Sequence, residues 1–191
     1  MNTIIGLRES IEKSLKTENY YAALAVALAL PDICGKLEFP QKGSGERFKD
    51  WFNKYLQSKY QLTTGETQYT TLNATDCYAL RCSFLHEASD DITSQHAREV
   101  LSKIKFTTMN MHNIKIEDVL SLNVNNFCQD ISEGVKSWLE DIDENKEIKD
   151  RIDKLITIEI SGFRPTPNTY VGNSIEQYLS DREQFSKDLN K

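Results

Sequence analysis

The segment Tyr20 to Lys36, YYAALAVALALPDICGK, has almost no polar face when set on a helix: Tyr20, Ala23, Leu24, Val26, Ala27, Leu28, Leu30 and Ile33 cover most of the circumference. Such a helix has to be surrounded, by protein or by lipid. Its uncharged part ends at Pro31 and is too short to span a bilayer. The segment therefore predicts the buried central helix of a bundle. Thr17 or Asn19 can cap its start. Pro31 lacks a backbone donor and clashes with the Ala27 carbonyl, which predicts a kink or break there. Gly35 can end the helix. Asp32 follows inside this apolar stretch, and a carboxylate there must be paired or sit at a helix end. It can cap a helix restarted after Pro31, orient a nearby cation, or line the rim of a cleft.

Partners for this helix follow from the spacing of apolar residues. Ile4, Leu7, Ile11 and Leu15 form a helical stripe, as do Phe48, Trp51, Phe52, Tyr55 and Leu56 after Ser44. The aromatics of the second stripe read as core. Gln61 to Thr71, rich in Thr, Gln and Gly, reads as a connection. Asn73 is placed to cap a helix carrying Cys77, Leu80 and Phe84 on one face. Thr93 to Lys103 reads as a short helix or turn.

The pattern then changes to alternation. Ile104 and Phe106, Ile114 and Ile116, then Leu120, Leu122 and Val124 predict two or three short strands. Asn125 or Asn126 can cap a further helix with Phe127, Ile131, Val135, Trp138 and Ile142 along one side. A charged helix carries Ile148, Ile152 and Leu155, and the run Glu140 to Lys154 reads as a solvated face. Ser161 to Asn173 reads as a loop, and Ser174 with Gln177 resembles a capping box for a last helix, Ile175 to Leu189. The expected fold is mainly α, a helical bundle with a small β hairpin or meander around 104–124. Its expected domain is 1–160, with 161–191 a loop and C-terminal helix packing on it.

The 191 residues carry a net charge of −6. That excludes a general nucleic-acid coat or a polybasic membrane binder but leaves a local basic pocket open. Met1 to Lys16 shows no secretory signal. Cys34, Cys77, Cys82 and Cys128 form no C-x-x-C pair, and no histidine stands at zinc-ligand spacing. They read as reduced thiols of a cytoplasmic protein, with no metal, no cofactor and no membrane partner implied.

Chemistry concentrates in Tyr78-Ala-Leu-Arg81-Cys-Ser-Phe-Leu-His86-Glu87. Arginine offers a planar fork that fits phosphate oxygens, and imidazole can act as general acid or base. Arg81 and His86 lie five residues apart, about 140° round an ideal helix. Two chains packed across this helix could bring them together where one chain does not. Arg81 could instead pair with Asp76 or Glu87, and His86 could serve the helix C-terminus. Ser83 with His86 makes a serine nucleophile conceivable, without a visible oxyanion loop or third partner. Lys42-Gly-Ser-Gly-Glu46 lacks the ending of a P-loop and reads as an ordinary loop. His96 and His112 read as isolated and exposed.

Arg81 and His86 at the end of a bundle helix resemble the R-x4-H signature of the HEPN superfamily. The apolar helix ending in Pro31-Asp-Ile-Cys-Gly35, the aromatic helix Arg47 to Leu56 and the helix Asn126 to Ile142 are similar in context, so the resemblance covers roughly Ile4 to Ile142. It implies a homodimer in which two such segments face one cleft. It also implies a metal-independent endoribonuclease of the toxin or phage-defence type, with RNA as substrate and an antitoxin or other protein as a further partner. Arg81 and His86 would be catalytic, with Asp32, Cys82, Ser83 and Glu87 as supporting candidates. Active members commonly carry a small polar residue after the arginine; Cys82 departs from that, since a thiol hydrogen-bonds poorly. A catalytically silent module binding a protein or nucleotide, and a structural helical scaffold, stand as the alternatives.

Overall fold

The computed structural model describes residues 3–95 and 98–158. Residues Met1 to Leu155 form one compact unit. Within it the chain runs through α1 (Thr3–Lys16), α2 (Tyr20–Glu38), α3 (Ser44–Tyr55), a 3-10 turn (Gln57–Tyr60), β1 (Gln61–Thr64), β2 (Thr67–Thr70) and α4 (Ala74–Glu87). It continues through β3 (Lys103–Thr107), β4 (Ile114–Ile116), β5 (Val119–Asn123), α5 (Val124–Asp141) and α6 (Lys146–Ile152). The fold is mainly α with small sheets, as the periodicity predicts. His96, the loop Ser161 to Asn173 and the helix expected at Ile175 to Leu189 lie outside the described residues.

The apolar segment is the central helix. α2 packs on α1, α3, α4, α5 and α6, and Ala23, Ala27, Leu28, Leu30 and Cys34 are wholly buried. By length and composition α2 could cross a membrane, yet more than half of it is buried inside the protein. The expected break at Pro31 does not occur, and the helix runs on to Glu38. A proline inside a helix costs about 3 kcal/mol, but here both flanking turns are packed into the core, and tertiary burial outweighs the local cost. Gly35 does not end the helix either. Its role is close approach: a Cβ there would sit 2.7 Å from the Arg47 carbonyl oxygen. α2 and α3 can touch backbone to backbone at that point only because the residue is glycine. The helix ends at Phe39, whose N–H bonds the Gly35 carbonyl, while Arg151 Nε of α6 donates to the Leu37 carbonyl at 2.7 Å.

On α3, Phe48, Trp51 and Phe52 are buried, so the aromatic stripe is core, as its spacing predicts. The segment Gln61 to Thr70 is a β-hairpin, β1 pairing antiparallel with β2, not a plain connection. Its turn is built on Gly65 at φ 62°, a conformation that favours glycine, and its threonines suit a strand. Thr93 to Lys103 contains turns and no helix among its described residues.

The second sheet contains the expected hairpin, β4 with β5, but β3 joins it out of sequence order, so it is not a meander. Its order is β3-β5-β4. β3 lies parallel to β5, with Ile104 opposite Leu120 and Phe106 opposite Leu122, and β4 is antiparallel to β5 on the other side. The chain leaves β3, skips a place, and returns through the Glu117–Asp118 turn into the centre. β5 takes that place because it is the most apolar strand: Leu120 and Leu122 are wholly buried, whereas β4 leaves Ile116 69% exposed at the edge. Phe106 meets Phe127 of α5 edge to face at 5.3 Å, which seats the sheet on the bundle.

α5 starts one residue after β5 and is capped by Asn123, not by Asn125 or Asn126. The Asn123 side chain accepts from the Asn126 N–H at 3.0 Å and donates to the Met109 carbonyl at 2.8 Å. His112 is half-buried, not isolated. Its Nδ1 accepts the Asn123 N–H at 3.2 Å, and its ring meets Tyr60 edge-on. Tyr60 is buried and donates to Asp130 at 3.0 Å. Burial and the Asp130 charge push this phenol well up, so it remains a donor.

Candidate functional site

α4 begins where its sequence predicts. Asn73 accepts the Asp76 N–H at 2.7 Å, and Ala88 in the left-handed region ends the helix after Glu87. Arg81 and His86 occupy its last two turns, and they point to different surroundings.

Arg81 turns towards α2. Its Nη2 lies 3.2 Å from Asp32 Oδ2, and its guanidinium carbon stands 6.0 Å from the centre of the Tyr78 ring. Asp32 also binds Arg47 at the start of α3, whose Nε is 2.7 Å from Oδ1. Arg47 Nη1 donates to the Lys42 carbonyl at 3.1 Å. All three charged side chains are largely enclosed, with exposures of 13% for Asp32, 16% for Arg47 and 19% for Arg81. One carboxylate held between two guanidiniums leaves the group with a surplus positive charge. Arg81 also keeps unused donors: its buried Nε has no hydrogen-bond partner, and Nη1 has only the Cys82 sulfur at 4.0 Å. Asp32 thus pairs Arg81 instead of capping a restarted helix, and neither Asp76 nor Glu87 is the partner of Arg81.

His86 is exposed in the last turn of α4. A single chain does not join it to Arg81, as the five-residue offset predicts. Ser83 is buried and donates to the Asp91 carbonyl at 2.7 Å, so its hydroxyl serves the 88–92 turn and not His86. Cys82 is half-buried beside Arg81. Glu87 is exposed and accepts from Gln95 at 3.2 Å. Two nearby carboxylates are occupied: Asp90 pairs with Lys103 at 3.0 Å, and Asp91 accepts from the Thr93 hydroxyl and amide, which holds its carboxyl below the usual range. In the Lys42 loop, Lys42 pairs with Glu46 and Asp50, so that cation is committed to its own carboxylates.

Of the six expected site residues, Asp32, Arg81 and Cys82 come together, while His86, Ser83 and Glu87 face elsewhere. Arg47 is the member that sequence reasoning missed. It stands 15 residues from Asp32, too far for a local pattern. The available signals were its place beside the aromatic stripe and the glycine on α2 that lets α3 approach.

A second carboxylate organises the other side of α4. Asp76 is 1% exposed and accepts backbone N–H bonds from Glu99, Val100 and Leu101 at 2.7 to 3.2 Å. It pins the segment leading into β3 against the helix. Among the described residues no group of three His, Cys, Asp or Glu side chains could hold a metal ion.

No protein-family model, curated protein or solved structure matches the chain. The class that the fold and this site define is a mainly α bundle carrying a largely enclosed Arg47–Asp32–Arg81 cluster, with an exposed histidine further along the same helix.

Proposed function

We propose that this protein is a cytoplasmic, HEPN-like RNA-cleaving module that works as a homodimer without a metal. The observation that carries the reading is the cationic surplus around Asp32, with an Arg81 Nη1 that no oxygen accepts, on the same helix end as an exposed imidazole. Phosphodiesters are recognised by such a combination of guanidinium and general acid–base group. In the proposed reaction a ribose 2′-hydroxyl gives its proton to one imidazole and attacks the adjacent phosphorus. The phosphorus–O5′ bond breaks, and a second imidazole protonates the leaving oxygen. Arg81 stabilises the charge on the non-bridging oxygens. The products are a 2′,3′-cyclic phosphate and a 5′-hydroxyl end. The 140° offset on one helix is why the second chain is required: His86 of one protomer faces Arg81 of its partner.

The test is incubation of the full chain with RNA in EDTA. Cleavage to cyclic-phosphate ends, lost in Arg81→Ala and in His86→Ala, supports the reading. Identical products from those variants overturn it. A second reading, a silent module that binds a protein or a nucleotide without cutting, is favoured by the Asp32–Arg81 ion pair and by Cys82. Binding of a nucleotide with no RNA cleavage, the binding lost in Arg81→Ala, would select it.

A further inference from the structure

The two contacts of Asp32 are unequal. Oδ1 is 2.7 Å from Arg47 Nε, while Oδ2 is 3.2 Å from Arg81 Nη2. Arg47 is itself fixed twice, by Asp32 and by the Lys42 carbonyl, and its backbone is seated against Gly35. Arg81 has one longer contact to the carboxylate, at 3.2 Å, and its Nη1 meets only the Cys82 sulfur at 4.0 Å. Ion pairs in a partly enclosed site interact more strongly than in water, so a lone Asp32 would hold Arg81 as a closed pair with no net charge. With Arg47 present, the same carboxylate is divided.

We propose that Arg47 is a positioning residue: by taking Asp32 Oδ1 it keeps Asp32 from neutralising Arg81 and leaves the Arg81 guanidinium available to a phosphodiester oxygen. This rests on the reading of Arg81 as the phosphate-binding group. The three side chains sum to one positive charge. Arg47→Met reduces the sum to zero, Asp32→Asn raises it to two, and the double variant returns it to one.

Phenylglyoxal labelling of Arg81, followed by mass spectrometry of its peptide, reads the availability of the guanidinium without reference to RNA. Arg47→Met is expected to slow labelling about fivefold, the effect of one modest ion-pair change. Asp32→Asn is expected to speed it, and Asp32→Asn/Arg47→Met to restore at least the wild-type rate. An unchanged or faster rate in Arg47→Met overturns the inference. So does failure of the double variant to recover, because a purely packing role for Arg47 would not be rescued by removing a charge elsewhere. If Arg47→Met does not fold, Arg47→Gln, which removes the same charge but keeps a hydrogen-bonding side chain, takes its place in both the single and the double variant. RNA cleavage by the same set should follow the labelling order. If cleavage is indifferent to Arg81→Ala, the RNA reading fails, and the labelling series still decides the role of Arg47.

Discussion

At the scale of single residues, Asp76 shows how much one buried charge can organise. A carboxylate in the core is unfavourable unless its lone pairs are filled, and here three successive backbone N–H groups fill them. Asp76→Ala would leave those donors unsatisfied and is expected to cost about 3 kcal/mol in urea unfolding, with Asp76→Asn losing less because one acceptor remains. The thiols give a second residue-scale expectation. Burial pushes Cys34 and Cys77 well above the usual range and Cys128 to about 12, so their thiolates are scarce as well as inaccessible. Half-buried Cys82 is expected to react first with a thiol reagent at mildly alkaline pH, and Cys82→Ser should remove that fast phase. Rapid labelling of Cys34 or Cys77 in the native protein would contradict the packing.

At the scale of elements, the contact of α2 with α3 sets the site. Gly35→Ala places a methyl group 2.7 Å from a backbone oxygen, and backbone cannot yield as a flexible side chain does. The helices must separate, at a cost of about 1–3 kcal/mol. Arg47 should leave Asp32 at the same time, so Arg81 labelling should fall together with the unfolding midpoint. The start of α5 is a second joint. Asn123 caps the helix and also holds the Met109 carbonyl. Asn123→Ala is expected to cost about 1 kcal/mol for the cap and a comparable amount for the second bond, read as a lowered urea midpoint.

For the whole molecule, the excess of acidic groups, −6 overall, sets the field an RNA would meet. The chain outside the Arg47–Asp32–Arg81 cluster is net negative, so RNA affinity should be low and should depend weakly on salt, with few phosphates contacted. A filter-binding series against salt measures the slope; a slope equivalent to many phosphate contacts would require another basic surface. Light scattering at micromolar protein is expected to give twice the monomer mass. Leu85, 37% exposed beside His86, marks the surface on which the partner chain is proposed to sit, and Leu85→Arg should return the monomer. A wild-type protein that is monomeric throughout would remove the composite site.

The sequence by itself determined where α1, α3 and α5 run and which face of each is buried, because those depend on local spacing; the cap at Asn73 was legible for the same reason. It also marked Arg81 and Asp32 as charges too close to the core to lack a purpose. Tertiary structure decided the rest. Whether Pro31 breaks α2 depends on burial of the flanking turns, not on proline alone. The order β3-β5-β4 depends on which strand has most apolar surface to hide. The partner of Asp32 depends on how closely α3 approaches α2. Each is a contact between residues distant in the chain, and its energy is set by the neighbours that folding supplies, which no local pattern contains.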